Sequence, residues 1–408
     1  MDRGTAARSG MSDLLDGFLD PLGREVFFGD VFGTTHRHFP GTPERTAEIM
    51  TLARLNELMS MTSVWTPETM KLYLDLQPVA TADYCARVPS MQGGGALRPD
   101  PDRVQDWIAK GASVILNDID ALAPGVRALA NDLQSATGGR SQANLYFSMH
   151  QHKAFGPHCD VHEVFAIHCA GEKTWNIYEA RDEAPVNHPA FKPSDEERAR
   201  RAGKVVAQVE MKPGDLLYIP RGLYHDALAS ENGAIHIAFG VTLPKPLDLL
   251  PIIWDAAIQD PWMRSDLPRA MDAAALQQTL ARMGETIAGA LNSAGAREVA
   301  AKAIETWPYA FKGYDLEGLV AAEPATPATE ESGYRVSKQV KVTRHNGKPY
   351  LSDGKQQVEI PSDVAQQVSF IMTRERVTEA ALQAEFPEMS EAAVAELFRN
   401  MKQMRVIA

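Results

Sequence analysis

The sequence predicts an α+β protein whose centre is a barrel or jelly roll of short strands, flanked by helical segments. After Gly138, short runs rich in aromatic and β-branched residues, such as ANLYFSM, EVFAIHCAG and AIHIAFGV, alternate with Gly, Pro and charged residues. Residues 30–132 show helices and loops, as in RTAEIMTLARLNELMSM, and past Pro251 Ala, Leu, Met and Arg recur at helical spacing. One all-β unit therefore lies inside an otherwise helical chain.

Changes in composition divide the chain into five parts. Residues 1–29 form a partly flexible N-terminal segment, and residues 30–250 hold the all-β unit with the elements that precede it. A helical segment covers residues 251–322, and EPATPATEESG gives residues 323–333 the composition of a linker. Residues 334–408 show short strands followed by about three helices, an order compatible with a winged-helix module.

Composition and charge limit the classes of function. The 408 residues are 44% hydrophobic and 23% charged, which is typical of a globular protein. A net charge of -12 argues against general electrostatic binding to nucleic acid and favours a basic partner. From Arg335 onward the sequence contains 11 Lys or Arg and 9 Asp or Glu, a balance too even to indicate DNA binding. We expect the C-terminal module to contact protein.

Cysteine usage and the N-terminal residues predict a cytoplasmic protein. Cys85, Cys159 and Cys169 form no C-x-x-C pair, so neither a disulfide framework nor a thiolate zinc site is indicated. Asp and Gly interrupt the N-terminal segment before an apolar run reaches signal-peptide length, and no stretch approaches the roughly 18 apolar residues of a membrane span. Translation could start at Met1 or at Met11.

The motif GPHCDVHE, residues 156–163, concentrates candidate metal ligands. His158-x-Asp160 places two side chains on one face of an extended segment, although this pair alone is a weak signal. Downstream, KPGDLLYIPRGLYHDA predicts a strand and a turn that bring His225 to the rim of the next strand. Two imidazoles and one carboxylate are the facial ligands of non-haem Fe(II) oxygenases, which keep positions open for a bidentate co-substrate and oxygen.

Other histidines offer alternative ligands. His150-x-His152 is a second ligand-spaced pair, but it has no obvious third partner. His162 lies two residues after Asp160, so spacing alone would allow it to be a metal ligand. Its place at the start of the EVFAIH strand favours a surface or supporting role instead. His168 lies among apolar residues and is expected to be a core histidine with a hydrogen-bonded ring.

The motifs NLYFSM, FGPHCDVHEVF, GEKTWNIYE and PGDLLYIPRGLYH, in this order over roughly residues 30–250, resemble the JmjC-type cupin oxygenases of the ribosomal-oxygenase group. The resemblance implies a double-stranded β-helix core. It also implies that the helical segment mediates homodimerisation and that the C-terminal module is a winged helix. The metal ligands of the group fall on His158, Asp160 and His225, with Fe(II) as the metal.

The resemblance also implies a site for 2-oxoglutarate as co-substrate. Lys173, fifteen residues beyond His158, would bind its far carboxylate, with Asn144 and Tyr146 from the preceding strand and His236 from the last core strand. A dicarboxylate in a low-dielectric barrel needs a buried positive charge and hydrogen-bond donors. The alternative is that Lys173 is the exposed tip of a Gly-Glu-Lys hairpin.

Two departures from the group bear on the substrate. The last core strand has Ala234, Ala238 and Gly240 where hydroxyl residues are frequent, so hydrogen-bonding groups near the co-substrate are missing. HQHKA replaces the Pro- and Gly-rich loop that usually precedes H-x-D at the mouth of the barrel. The substrate is therefore expected to differ from a standard ribosomal loop.

The resemblance implies an Fe(II)-, O2- and 2-oxoglutarate-dependent hydroxylase acting on an amino-acid side chain of a protein, with a ribosomal protein as the expected partner. A tailoring hydroxylase of a peptide natural product would share every site residue. A cupin metalloenzyme without 2-oxoglutarate would not need Lys173, and a non-catalytic scaffold would tolerate loss of the triad.

Overall fold

The computed structural model describes residues 13–89, 95–149, 152–230, 233–308, 314, 316, 333–337, 340–345, 348–352, 357–404 and 406–407. The chain divides into two compact units, residues 1–312 and residues 313–408. The alternative starts, Met1 and Met11, and residues 323–332 of the predicted linker lie outside the described residues.

The described part of the larger unit contains thirteen strands, most of them paired in two antiparallel sheets. They are β1 Arg37–Phe39, β2 Met70–Leu74, β3 Gln77–Pro78, β4 Cys85–Pro89, β5 Gly95–Pro99, β6 Ser113–Leu116, β7 Arg140–Ser148, β8 Glu163–Ala170, β9 Lys173–Arg181, β10 Val205–Met211, β11 Leu216–Ile219, β12 Leu223–Ala229 and β13 Ala234–Thr242. The larger sheet has the order β1-β11-β8-β13-β7-β6-β2-β3, and the smaller one β10-β9-β12. A separate hairpin joins β4 and β5.

Helices precede the strands, connect them and follow them. The α-helices are Asp13–Leu19, Arg24–Val26, Glu44–Ala47, Leu52–Ser60, Thr81–Tyr84, Pro101–Ala109, Pro124–Thr137, Asp195–Ala202, Leu250–Ala257, Ala273–Leu291 and Ala294–Glu305; short 3-10 or π turns are Phe27–Val31, Ile119–Ala121, Pro189–Phe191, Pro246–Leu249 and Trp262–Arg264. Within the described residues no helix combines the length and the hydropathy needed to cross a bilayer.

Strand β8 is buried along nearly its whole length because both of its faces are covered. Phe165 and Ile167 belong to the core that the helices share with the large sheet. Val164 and Ala166 point the other way and pack with Trp175 of the small sheet. Face-to-face packing of two antiparallel sheets fits the predicted jelly roll.

The structure differs from the sequence prediction in residues 30–132, where helices and loops were expected. Strands β1 to β6 lie in this region: β1, β2, β3 and β6 belong to the large sheet, and β4 and β5 form the separate hairpin. They are only two to five residues long. Such short runs show little periodicity, and their conformation is fixed by pairing with distant strands such as β11 and β6.

The smaller unit combines short strands with three helices. Its strands are Tyr334–Arg335, Lys341–His345, Lys348–Ser352, Gln357–Glu359 and Arg376–Val377, and its helices Ala365–Met372, Glu379–Glu385 and Glu391–Gln403. Ile371, Leu382 and Phe398, one from each helix, are fully buried and hold the unit together. Its assignment as a winged helix stays a prediction.

A crossing of two backbones near β11 requires glycine. Gly214 has a φ of +98°, and a Cβ atom there would lie 2.0 Å from the carbonyl oxygen of Thr42. The neighbouring Asp215 holds the same crossing, because its carboxylate accepts hydrogen bonds from the Gly41 amide at 2.8 Å and from His38 Nε2 at 2.9 Å. The segment that contains His38 and Gly41 is thereby held against the turn that precedes β11.

Gly214→Ala is expected to lower the free energy of unfolding by about 3 kcal/mol, since backbone atoms cannot yield to the new methyl group. Gly138→Ala is the matched control: its φ is +69°, nothing lies within 4 Å, and only the conformational cost of about 1 kcal/mol applies. Urea unfolding followed by tryptophan fluorescence measures both, because all six Trp lie in residues 1–312. Equal effects of the two variants would contradict the collision.

Candidate metal centre

A backbone bridge brings two candidate ligands together. The His158 amide donates to the carbonyl of His225 at 3.0 Å, and the His225 amide donates to the carbonyl of His158 at 2.8 Å. The Gly222 amide also donates to the carbonyl of Asp160 at 3.0 Å. The H-x-D segment is thus fixed beside β12 as an additional stretch of antiparallel pairing.

The three side chains converge on one point. One ligand atom from each of His158, Asp160 and His225 can be chosen so that all three lie within 4.8 Å of one another. Asp160 Oδ2 is 3.5 Å from His225 Nε2, and the two imidazole centroids are 4.6 Å apart. The predicted triad is therefore assembled in a compact group.

Local hydrogen bonds fix the tautomer of both imidazoles. His158 Nδ1 lies 2.9 Å from the carbonyl of Gly156, and His225 Nδ1 lies 3.0 Å from the carbonyl of Leu223. A carbonyl only accepts, so each Nδ1 carries a proton, which leaves Nε2 of each ring as the atom that can bind a metal ion. Neutral imidazoles anchored in this way, with one carboxylate, are a donor set that fits Fe(II).

Electrostatics keep the carboxylate ionised. Although partial withdrawal from water acts to raise it, the pKa of Asp160 is held well below its usual range by the hydrogen bond with His225 and by the neighbouring imidazoles. Burial and the proximity of His225 lower the pKa of His158. At His225 burial acts in the same sense, but the hydrogen bond with Asp160 outweighs it and raises the pKa.

A buried lysine lies at the other end of the same cavity. Lys173 is 6% exposed, so the alternative of an exposed hairpin tip does not describe it. Its Nζ is 3.3 Å from Ser148 Oγ and 3.4 Å from His236 Nδ1, and no carboxylate of the described residues pairs with it. Burial lowers the pKa of Lys173 to about 7. The His236 ring stacks on Tyr146 at 4.6 Å.

Six of the seven residues predicted for the site line one cavity, and Asn144 is the exception. The lining residues are Tyr146, Ala154, Phe155, His158, Asp160, Val164, Lys173, Trp175, His225, Ala227, His236 and Ala238. Asn144 is on β7, two residues before Tyr146, but its Oδ1 accepts a hydrogen bond from the Asp118 amide at 3.3 Å. Its side chain is used to hold a neighbouring turn.

Sequence reasoning missed Trp175 and Phe155 as cavity residues. Strand alternation in KTWNIYE places Lys173, Trp175 and Ile177 on one face, so the signal for Trp175 was present. Phe155 lies in the loop before H-x-D, and its ring is 5.8 Å from that of His158. No periodic pattern marks a residue in such a loop.

Among the described residues, the alternative histidines do not belong to the ligand group. His168 is fully buried, and its Nε2 lies 2.9 Å from the carbonyl of Gly171, in agreement with a core histidine. His152 Nδ1 is 2.8 Å from Asp75 in an exposed pair, and His150 lies outside the described residues. A Cβ atom at Gly240 would lie 2.7 Å from the His162 ring, so the absent side chain leaves room for that ring.

A polar cluster supports β12 on the side away from the cavity. Asp226, which follows ligand His225, is 1% exposed and accepts hydrogen bonds from Tyr178 at 2.7 Å and Asn176 at 2.8 Å. Lys153, from the loop before H-x-D, reaches it at 3.2 Å. One carboxylate therefore ties that loop to the strand that carries a ligand.

Residues 123–249 match the JmjC domain family, which confirms the predicted resemblance to JmjC-type cupin oxygenases. Among similar proteins, Ribosomal oxygenase 1 of Rattus norvegicus is 31% identical over 166 residues, 39% of this chain and 28% of that protein. The bifunctional lysine-specific demethylase and histidyl-hydroxylase NO66 of Drosophila simulans is 31% identical over 142 residues, 35% of this chain and 16% of that protein. The chain thus spans well under two thirds of these relatives.

Among solved structures, Escherichia coli YcfD aligns with 94% of this chain and 97% of its own at 17% identity, with a TM-score of 0.47. A further structure of YcfD, described as a ribosomal oxygenase in complex with cobalt and 2-oxoglutarate, aligns with 94% of this chain and 96% of its own, also at 17% identity, with a TM-score of 0.45.

Lys173→Met is expected to stabilise the ligand-free protein by about 2 kcal/mol at pH 7, because it removes a buried cation that lacks a counter-ion. Unfolded lysine keeps its proton up to about pH 10.5, whereas folded Lys173 loses it above about 7. The unfolded state binds more protons between these values, so native stability rises with pH there and the gain from Lys173→Met shrinks toward pH 10.

Urea unfolding at pH 7 and pH 9.5 measures this difference. Lys212→Met is the control, because the Lys212 side chain is 61% exposed and its removal should have a small effect at either pH. A gain from Lys173→Met that is the same at both pH values would contradict the low pKa of the buried lysine.

Proposed function

We propose that the chain is an Fe(II)- and 2-oxoglutarate-dependent hydroxylase that acts on an amino-acid side chain of a protein, with a ribosomal protein as substrate. The observation that carries the proposal is a single cavity with three metal-ligand atoms at one end and a buried lysine, unpaired with any described carboxylate, at the other. A dicarboxylate with a chelating 2-oxo acid group matches both ends.

The residues of the cavity have separate roles. His158, Asp160 and His225 would hold Fe(II), which when bound supplies oxygen activation coupled to decarboxylation of 2-oxoglutarate to succinate. Lys173 binds the far carboxylate and takes up a proton as the anion arrives, since its pKa of about 7 leaves it partly neutral. Tyr146 and His236 form the wall beside it, with their rings stacked at 4.6 Å.

The substrate class is supported by the names of the relatives, ribosomal oxygenase and histidyl-hydroxylase. The net charge of -12 favours a basic partner such as a ribosomal protein. A location in the cytoplasm is supported by Cys85, Cys159 and Cys169, all of which are free thiols.

We also propose a homodimer formed through the helix Ala273–Leu291. Leu276, Leu280 and Met283 occur at positions i, i+4 and i+7 of this helix and are 46%, 54% and 39% exposed. An apolar stripe at this spacing normally packs against another element. A second copy of the chain is the occupant that the resemblance to the ribosomal-oxygenase group implies.

Anaerobic titration of the Fe(II)-loaded chain with 2-oxoglutarate is expected to produce the charge-transfer band of the chelate. Asp160→Ala should abolish the band and reduce succinate formation to background, because it removes one of three metal ligands. His152→Ala is the matched control: this histidine belongs to the alternative pair, and the band should be unchanged.

Absence of the band in the native chain with metal demonstrably bound would overturn the proposal. Loss of the band in His152→Ala would favour the alternative pair. Mass spectrometry of ribosomal proteins incubated with the active chain and with Asp160→Ala then identifies a target by one added oxygen.

Leu276→Glu with Leu280→Glu is expected to convert a dimer into a monomer, since two carboxylates would be buried in an apolar interface. Gln278→Glu, on the polar side of the same helix, is the control and should leave the dimer intact. Light scattering coupled to size-exclusion chromatography gives the mass directly. A native chain that elutes as a monomer would exclude the proposed dimer.

A further inference from the structure

Trp175 lines the cavity and carries a buried indole donor. It lies on β9 between Lys173 and Ile177 and is 5% exposed. Its Nε1 is shielded from solvent, and the described residues offer it no hydrogen-bond partner. Buried N–H groups in native proteins are nearly always paired, so an unpaired donor on a residue that lines a ligand cavity is a candidate for pairing with the ligand.

The indole lies between the two ends of the cavity. Its ring is 5.8 Å from the ring of His225, a candidate metal ligand, and 5.3 Å from the ring of His236, which contacts Lys173. A molecule that reaches from the metal ligands to Lys173 therefore passes beside Trp175.

The surrounding strands provide no competing acceptor side chain at this level. Trp175 is paired with Ala227 on β12 and with Val209 on β10, and neither has a polar side chain. On β13, Ala238 lines the cavity without a hydroxyl group. The indole is thus a polar group on a stretch of wall that is otherwise apolar.

We propose that the Nε1–H of Trp175 donates a hydrogen bond to a carboxylate oxygen of the 2-oxo acid bound between the metal triad and Lys173. This inference rests on the proposed function, which supplies the identity of the ligand. Trp175 is therefore a co-substrate-binding residue as well as a part of the core.

A purely structural role makes a different prediction for the same residue. Trp175 packs with Val164, Ile177 and Val209, and a smaller aromatic ring without the N–H would keep most of this packing. Trp175→Phe keeps an aromatic ring and removes the donor, so ligand affinity and metal affinity distinguish the two roles.

Anaerobic titration of the Fe(II)-loaded Trp175→Phe chain with 2-oxoglutarate should give a dissociation constant about ten-fold or more above that of the native chain, the usual effect of losing a hydrogen bond to a charged group. Its affinity for Fe(II) alone should be unchanged. Trp65→Phe is the matched control, because Trp65 Nε1 already donates to the carbonyl of Leu58 at 3.0 Å. That variant should bind 2-oxoglutarate like the native chain.

A second measurement uses the native chain and does not depend on the folding of a variant. With 15N-labelled tryptophan and Zn(II) at the site, the indole N–H resonance of Trp175 should move downfield when 2-oxoglutarate is added, while that of Trp65 stays in place. Replacing Zn(II) by Co(II) identifies Trp175 as a strongly broadened indole signal, since its ring lies 5.8 Å from that of His225.

The outcomes separate this inference from the proposed function. A native chain that binds 2-oxoglutarate, with an unmoved Trp175 resonance and an unchanged dissociation constant in Trp175→Phe, overturns the role of Trp175 and leaves the hydroxylase proposal intact. A metal-loaded native chain that does not bind 2-oxoglutarate overturns both.

Discussion

Two backbone hydrogen bonds between His158 and His225 are the contact on which the rest of the site depends. They join segments far apart in the sequence and hold the two ligand backbones in register. Both Nδ1 atoms are bound to carbonyl groups within two residues, so the direction of each imidazole follows from the local backbone. Ligand geometry is therefore a property of barrel closure, and Asp226 with Lys153 reinforces it from the outer side.

The cavity combines features that a stable core normally avoids. Lys173 is buried without an anionic partner among the described residues, and Trp175 keeps an unpaired N–H. Each costs stability in the ligand-free protein, and both costs are removed when a suitably placed carboxylate enters. The same two unpaired groups thus lower the stability of the ligand-free protein and raise its affinity for a ligand. Functional sites often combine these two effects.

The ligand triad could be predicted from the sequence because its motifs have fixed spacing and strong turn signals. The central strands could be predicted because burial on both faces gives runs of mostly apolar residues. Trp175 could have been found from the alternation that also places Lys173. The edge strands β1 to β3 could not, since their conformation depends on distant partners. The side chain of Asn144 was assigned to the cavity by resemblance, but a competing amide at Asp118 attracts it, and only three-dimensional packing reveals such competition.

Gly240 and His162 have a consequence for the evolution of this barrel. The His162 ring occupies the space that any side chain at position 240 would need, with a closest approach of 2.7 Å. The two positions are therefore epistatic: a lineage cannot acquire a hydroxyl group at position 240 while the ring keeps its place. A larger residue at position 240 is accommodated when the half-buried His162 ring rotates away or is replaced by a smaller side chain. The side chain chosen at one of these positions therefore sets the space open to the other.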